Sequence, residues 1–438
     1  MRSFLSRKYD GEVAALALPA LGTLAIDPLV TLADTILVGR LGEQALGALG
    51  VNAAIFSVAF FAFNFLAYGT TPMISRALGR GDRAQAGRIT SQALFLALVL
   101  GCLSLITLQL LAAPLVTFMG ASEELQLLSL QYLRVRAFAA PAVLLVIASN
   151  GIFRGFRDTR TPFGITLSFN LVNIALDVTL IFGFGWGLVG AATATVVAQW
   201  LGAVWFVRLI LRGRLKAPLQ FAVPRLAEVA PFLQVGWQLA LRTLSLLLTM
   251  AFATSVATRI GVTEVAAHQV ANQLWLFLVV VADALAIAAQ ALVARYLGQG
   301  DLMQARAVAS RLLMLGLVAG VALAGLFWLG RPVIPGLFAT DPEVVSAIDR
   351  LYPLIDMLLP ISAIVFVWDG IFIGLEDFGY LASAMVLSAA LACGLLMITL
   401  VYGLGLTAVW VALIALMLAR GVTLAARFVN FSGYSLDA

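Results

Sequence analysis

Apolar stretches long enough to cross a bilayer recur along this chain, beginning at Val13 and continuing almost to the C-terminal residue. A helix needs about 20 mostly apolar residues to span the hydrocarbon core, so a bundle of membrane helices is the fold such a chain can adopt. A β-barrel is excluded, because barrel strands alternate apolar and polar residues and these runs do not. The chain is 62% hydrophobic and 11% charged, with mean hydropathy +1.03, a balance outside that of soluble domains. Twelve spans are predicted, near 13–38, 47–71, 89–112, 130–153, 163–184, 189–211, 229–256, 266–291, 308–330, 350–373, 381–402 and 407–430. The connections are short and leave no room for a soluble domain. The run from Val13 to Val38 is too long for a signal peptide and reads as the first span. Cys102 and Cys393 fall mid-span and read as buried free thiols.

The chain is also a duplication. Arg76-Ala-Leu-Gly-Arg-Gly-Asp82 returns as Arg295-Tyr-Leu-Gly-Gln-Gly-Asp301, a spacing of 219 residues (295 − 76 = 219). Asn150-Gly-Ile-Phe-Arg-Gly155 returns as Asp369-Gly-Ile-Phe-Ile-Gly374, and Arg40 and Pro141 return as Arg259 and Pro360 at the same spacing. Each half holds six spans, an even number, so the copies run in parallel about an axis along the membrane normal, with a transport site expected between them. The expected division is a first lobe over 1–212, a linker over 213–228 and a second lobe over 229–438. Gly-rich turns at Gly183-Phe-Gly-Trp-Gly187 and Gly403-Leu-Gly405 join adjacent spans.

Basic residues sort to one side. Arg2, Arg7 and Lys8 precede the first span; Arg76, Arg80, Arg83 and Arg88, then Arg154, Arg157 and Arg160, then the stretch from Arg208 to Arg225, then Arg295, Arg306 and Arg311 follow in alternate connections. The opposite connections carry Glu123 and Glu124, then Asp341 and Glu343. By the positive-inside rule both termini are cytoplasmic, in a cell (inner) membrane protein. The net charge of +5 therefore reports topology and not nucleic-acid binding.

Ionisable residues inside spans are costly and mark function by default. In the first half these are Asp27 and Asp34, seven apart on one helix face, and Asp177, which shares a stripe with Asn170 and Asn173. Asn150, Thr195 and Gln199 complete a candidate cluster from spans 1, 4, 5 and 6. Two carboxyls close together in a poorly hydrated place hold one proton between them and release it when geometry or hydration changes. Pro19, inside span 1, removes a helix hydrogen bond and is a candidate hinge. The second half lacks these acids: Ala253 and Leu396 stand where the repeat would place Asp34 and Asp177. It has instead Arg242, His268, Gln269, Trp275, Asp283, Asp356, Asp369 and Arg420. Asp283 is a candidate partner of Arg242 or of cargo; Asp356 and Asp369 are expected near span ends, in solvent or in a salt bridge. Arg242 and Arg420 read as the basic residues deep in spans. No nucleophile–base set, metal-ligand cluster or phosphate loop is present, so no enzyme activity and no bound cofactor are expected.

The chain resembles the multidrug and toxic compound extrusion (MATE) family, in its DinF-type branch. The resemblance is carried by Ala33-Asp34-Thr-Ile-Leu-Val-Gly39-Arg-Leu-Gly42, by Gly151-Ile-Phe-Arg-Gly-Phe-Arg-Asp-Thr-Arg-Thr-Pro162, by Ala266-Ala-His-Gln269 and by the segment from Asp283 to Val293. It implies a V-shaped pair of six-helix bundles that exports bulky, cationic or amphipathic compounds against protons or sodium. It also implies that Asp34, Asn150, Asn173, Asp177 and Thr195 form the ion site and that Pro19 bends span 1. Asp27 stands where relatives are often polar and uncharged, and Ser362 falls near the place of an acid found in the NorM-type branch.

The resulting expectation is a proton-coupled exporter, monomeric in the bilayer, with small-molecule cargo. The alternatives are a sodium-coupled exporter of the same family or a flippase for lipid-linked precursors. A major facilitator fits less well, because Asp82-Arg83 and Gly87-Arg88 are at the wrong spacing for its signature.

Overall fold

The computed structural model describes residues 7–119, 123–220, 224–338 and 341–429, and within them the chain is helical. The helices are α1 (Asp10–Gly39), α2 (Glu43–Phe61), α3 (Phe65–Gly79), α4 (Arg83–Phe118), α5 (Glu123–Ala137), α6 (Ala140–Gly155), α7 (Arg160–Val178), α8 (Gly187–Leu211), α9 (Leu226–Ile260), α10 (Val262–Gly298), α11 (Leu302–Gly330), α12 (Ile334–Phe338), α13 (Pro342–Gly374), α14 (Phe378–Tyr402) and α15 (Gly405–Val429). Among the described residues eleven segments are long and apolar enough to cross a membrane, and the bent pair α5–α6 makes twelve if it is one span. The all-α, multi-pass architecture expected from the apolar runs is therefore present. Large apolar side chains such as Leu110 and Val58 stand exposed along these helices, as a lipid-facing surface requires.

The helices overrun the predicted spans. α4 covers Arg83–Phe118 where 89–112 was expected, and α13 covers Pro342–Gly374 where 350–373 was expected. Several basic residues assigned to connections, including Arg83, Arg88, Arg154, Arg208, Arg295, Arg306 and Arg311, are thus helical. Backbone hydrogen bonding continues past the hydrocarbon edge, which apolar run length does not report. Cys102 is exposed and Cys393 half-buried, contrary to the expectation of buried thiols; a small apolar thiol sits as readily on a lipid-facing surface as in a core. Arg2 lies outside the described residues, as do both chain ends, and the Glu123 and Glu124 side chains are likewise not described.

Contacts divide the chain into two compact units, one of Leu18–Gly236 and one joining the chain up to Ala17 to everything from Trp237 onward. The division runs through α1 just before Pro19 and through α9 between Gly236 and Trp237. In the second unit the start of α1 is held by Arg311, whose guanidinium grips both Asp10 carboxylate oxygens at 2.8 Å.

Inside each unit the repeat is visible as repeated packing. Asp82 caps α4 by accepting from the Gln85 amide at 2.7 Å, and Asp301 caps α11 from Gln304 at 2.8 Å. The residue before each cap is a glycine in the left-handed region, Gly81 (φ 79°) and Gly300 (φ 75°). A Cβ on Gly151 would fall 2.6 Å from the Ala67 Cα, and one on Gly370 would fall 2.5 Å from the Ala286 Cα. Gly101 meets Pro141, and Gly320 meets Pro360, in the same way.

The copies differ in continuity. The first has a 3-10 turn (Ala62–Asn64) between α2 and α3, and α5 and α6 meet at 51°, where Pro141 lies in the first turn of α6 and supplies no backbone donor. The corresponding helices of the second copy, α10 and α13, run unbroken.

Candidate functional site

In the Leu18–Gly236 unit, α1, α5 and α7 bring the candidate acids together. Asp177 lies at the last turn of α7 and is 1% exposed. Asn173, one turn earlier, donates from Nδ2 to Asp177 Oδ2 at 2.8 Å. The Asp34 carboxyl of α1 lies within hydrogen-bonding distance of the Asp177 carboxyl. The Oδ1 atoms of both residues are buried without a donor. Two carboxylates have no hydrogen to share, so this contact becomes a bond only when the pair holds a proton. Directly beyond Asp177 the chain makes a π-helical turn, Thr179–Gly183, a local departure frequent at functional sites.

A basic group also belongs to this site. Arg136 of α5 places its positive charge on Asp34 and bonds with the buried Tyr132 one turn before it. Its guanidinium lies 5.3 Å from the Phe56 ring centre, and its Nη1 is buried without an acceptor. Arg136 corrects the reading that only Arg242 and Arg420 lie deep in spans. The signal was present in the i, i+4 spacing of Tyr132 and Arg136, which puts both on one helix face. At the repeat positions of Tyr132 and Arg136 stand Leu351 and Ile355, both buried apolar residues, as are Ala253 and Leu396 opposite the two acids.

The other candidates are placed differently. Asp27 is exposed and faces the charge of Arg154. It shares a helix face with Asp34, but its charged neighbour is a different one. A second proline, Pro28, follows it inside α1, so Pro19 is not the only break in that helix's bonding. The Thr23 hydroxyl donates to the Pro19 carbonyl at 3.0 Å. Asn150 keeps its Oδ1 buried without a donor. Thr195 donates to the Ala191 carbonyl of its own helix at 3.0 Å, and Asn170 to that of Thr166 at 2.9 Å. Asn52, which sequence reading passed over, is fully buried and bonds the Ala48 and Ser129 carbonyls, tying α2 to α5.

The second unit has ionic chemistry of its own. Asp369 accepts from Arg242 and from Arg420, and both Asp369 and Arg420 are buried. Asp369 was expected near a span end, in solvent or a salt bridge; it lies five residues before the end of α13 at Gly374 and is held in a buried salt bridge. Asp369 is the repeat partner of Asn150, so one position carries an amide in one copy and a charge in the other. Arg242 thus pairs with Asp369. Trp275 donates to Ser362 Oγ at 3.0 Å and is buried, whereas Gln269 is exposed. His268 is buried, with Nε2 3.1 Å from Thr254 Oγ1.

Comparison with known proteins agrees with the resemblance. The MatE family model matches residues 19–179 and again 239–402, once per copy. The chloroplastic protein DETOXIFICATION 44 of Arabidopsis thaliana is 33% identical, over 97% of this chain and 83% of its own. DNA damage-inducible protein F of Escherichia coli (strain K12) is 28% identical, over 95% of this chain and 91% of its own. Among solved structures, a MATE crystal structure in a bent conformation superposes with TM-score 0.90 at 23% identity, covering 97% of this chain and 95% of that one. The chain therefore belongs to the MatE family and is a multi-pass efflux transporter of the multidrug and toxic compound extrusion type, not an enzyme.

Proposed function

We propose that the protein exports bulky cationic or amphipathic compounds in exchange for protons, with Asp34 and Asp177 as the proton site. The meeting of these two carboxyls supports the reading most strongly: the pair binds one proton when the site opens to the acidic side and gives it up when it opens to the other. Asn173 holds one edge of the Asp177 carboxylate, and Arg136 lies beside Asp34 from α5. Protonation lets the two carboxyls bond to each other across α1 and α7. The response of α1 is a change of bend at Pro19, where the helix lacks a hydrogen bond. A proton gradient supplies about 1.4 kcal/mol per pH unit and about 2.3 kcal/mol per charge per 100 mV. The site belongs to the compact unit Leu18–Gly236. In this reading the protein acts as a monomer in a cell membrane with both termini cytoplasmic.

A sodium-coupled exchanger would use the same oxygens, and the test separates the two. Purified protein in proteoliposomes is loaded with a fluorescent cation, and efflux is followed under an imposed pH gradient and then under a sodium gradient. Efflux driven by the pH gradient alone supports the reading; efflux driven only by sodium overturns it.

A further inference from the structure

On the outer face of α8, away from the acid pair, a groove of 570 Å³ runs along the helix and is lined by Leu145, Trp200, Val204, Leu211, Arg208 and Arg212, among others. Positions 200, 204, 208 and 211–212 recur at four-residue spacing and share one helix face. From Trp200 to Arg212 the helix rises about 18 Å, at about 1.5 Å per residue, close to half of a bilayer's hydrocarbon thickness of about 30 Å. The polarity of this face therefore changes along the helix axis, from an indole deep in the span to two guanidiniums at its end.

The two ends of the groove have distinct chemistry. Trp200 donates from Nε1 to the Phe138 carbonyl at 3.0 Å, at the break between α5 and α6. That carbonyl is accessible because the bend interrupts helical bonding, and the bond satisfies the indole's one polar atom, leaving an apolar ring in the groove. Val204 and Leu211 are exposed beside it. Arg208 and Arg212 are exposed and have no ion-pair partner among the described residues. Spaced four apart, they present two forks that match phosphate oxygens.

We propose that this groove binds one anionic phospholipid, its acyl chain along Trp200, Val204 and Leu211 and its phosphate held by Arg208 and Arg212. Charge complementarity selects the occupant: an apolar channel one leaflet deep ends in two unneutralised guanidiniums at headgroup level. A zwitterionic lipid fills the channel but brings a cationic group to the same place. A bound lipid would brace α8 against α6 beside the bend that separates α6 from the helix carrying Arg136.

The test uses the indole already in the groove. Full-length protein is reconstituted in phosphatidylcholine vesicles containing either brominated phosphatidylglycerol or brominated phosphatidylcholine at equal mole fraction. Emission quenching at Trp200 is taken as the difference between the native protein and Trp200→Phe. The expected result is an anionic preference of about thirtyfold, the size two basic residues give near a membrane surface, abolished in the double variant Arg208→Gln/Arg212→Gln. Should that variant fail to fold, competition in the native protein decides: unbrominated phosphatidylglycerol must restore Trp200 emission and unbrominated phosphatidylcholine must not. Equal quenching by both brominated lipids, a preference retained in a folded double variant, or equal competition by both lipids overturns the proposal.

Discussion

Asp34 on α1 meets Asp177 on α7 carboxyl to carboxyl, while Asn173 donates to Asp177 Oδ2 at 2.8 Å. Two anions in contact repel unless a proton or cation lies between them, so this geometry ties the two helices to the site's occupancy.

Arg136 lies beside Asp34 from α5, with its Nη1 buried and without an acceptor. Arg136→Gln should lower gradient-driven cargo efflux in proteoliposomes by on the order of tenfold, about 1.4 kcal/mol. Unchanged efflux would remove Arg136 from the site.

The buried bridge in the second unit should matter for folding more than for coupling. Asp369→Ala leaves Arg242 and Arg420 facing each other without the carboxylate between them. Removing one partner of such a bridge costs about 3–5 kcal/mol. Thermal unfolding followed by detergent-phase size exclusion should show a clear loss for Asp369→Ala, and a smaller one for Asp369→Asn, which retains a hydrogen-bond acceptor.

The repeated close approaches give a paired test. A Cβ at Gly151 or Gly370 would meet the backbone of the opposing helix at 2.6 or 2.5 Å. Alanine at either position should destabilise by about 1–3 kcal/mol, the usual cost of overpacking, and by similar amounts, because the two sites are copies. Alanine at Gly164, which lies inside α7 with open space beside it, is the control and should hold or slightly raise thermal stability.

The helix cap at Asp301 carries a pH signature. Bonds from the Gln304 backbone and side chain hold its carboxyl below the usual carboxylate range. The group therefore contributes stability above its unfolded value, and that contribution is lost as pH falls through the lower folded value. Asp301→Asn should reduce thermal stability near neutral pH and flatten the acid-side decline. A parallel displacement of the whole curve would contradict the assignment.

The sequence disclosed the spans, the duplication and the acid pair for identifiable reasons. Run length reports bilayer crossing, and Gly151, Pro141 and their repeats persist because backbones approach there. Asp34 and Asp177 stood out because charge inside a span is rare, and Asn173 because it shares a helix face with Asp177. Helix ends were not legible, since Arg83 and Pro342 continue the backbone bonding of helices whose apolar cores begin later. Arg136 was missed because its partners, Asp34 and Tyr132, are joined to it by folding or by spacing and not by an apolar pattern. Asp27 illustrates the converse: a shared helix face with Asp34 did not specify which charge would lie opposite it, and Arg154 does.

The central claim is that one proton resides on the Asp34–Asp177 pair and drives export. The most direct measurement is cargo efflux, with simultaneous proton uptake, in proteoliposomes under an imposed pH gradient for the native protein, Asp34→Asn and Asp177→Asn. The account predicts that either variant binds cargo but loses gradient-driven efflux by on the order of a hundredfold, about 2.8 kcal/mol, together with the coupled proton uptake. Native efflux and native proton uptake in Asp34→Asn would contradict it.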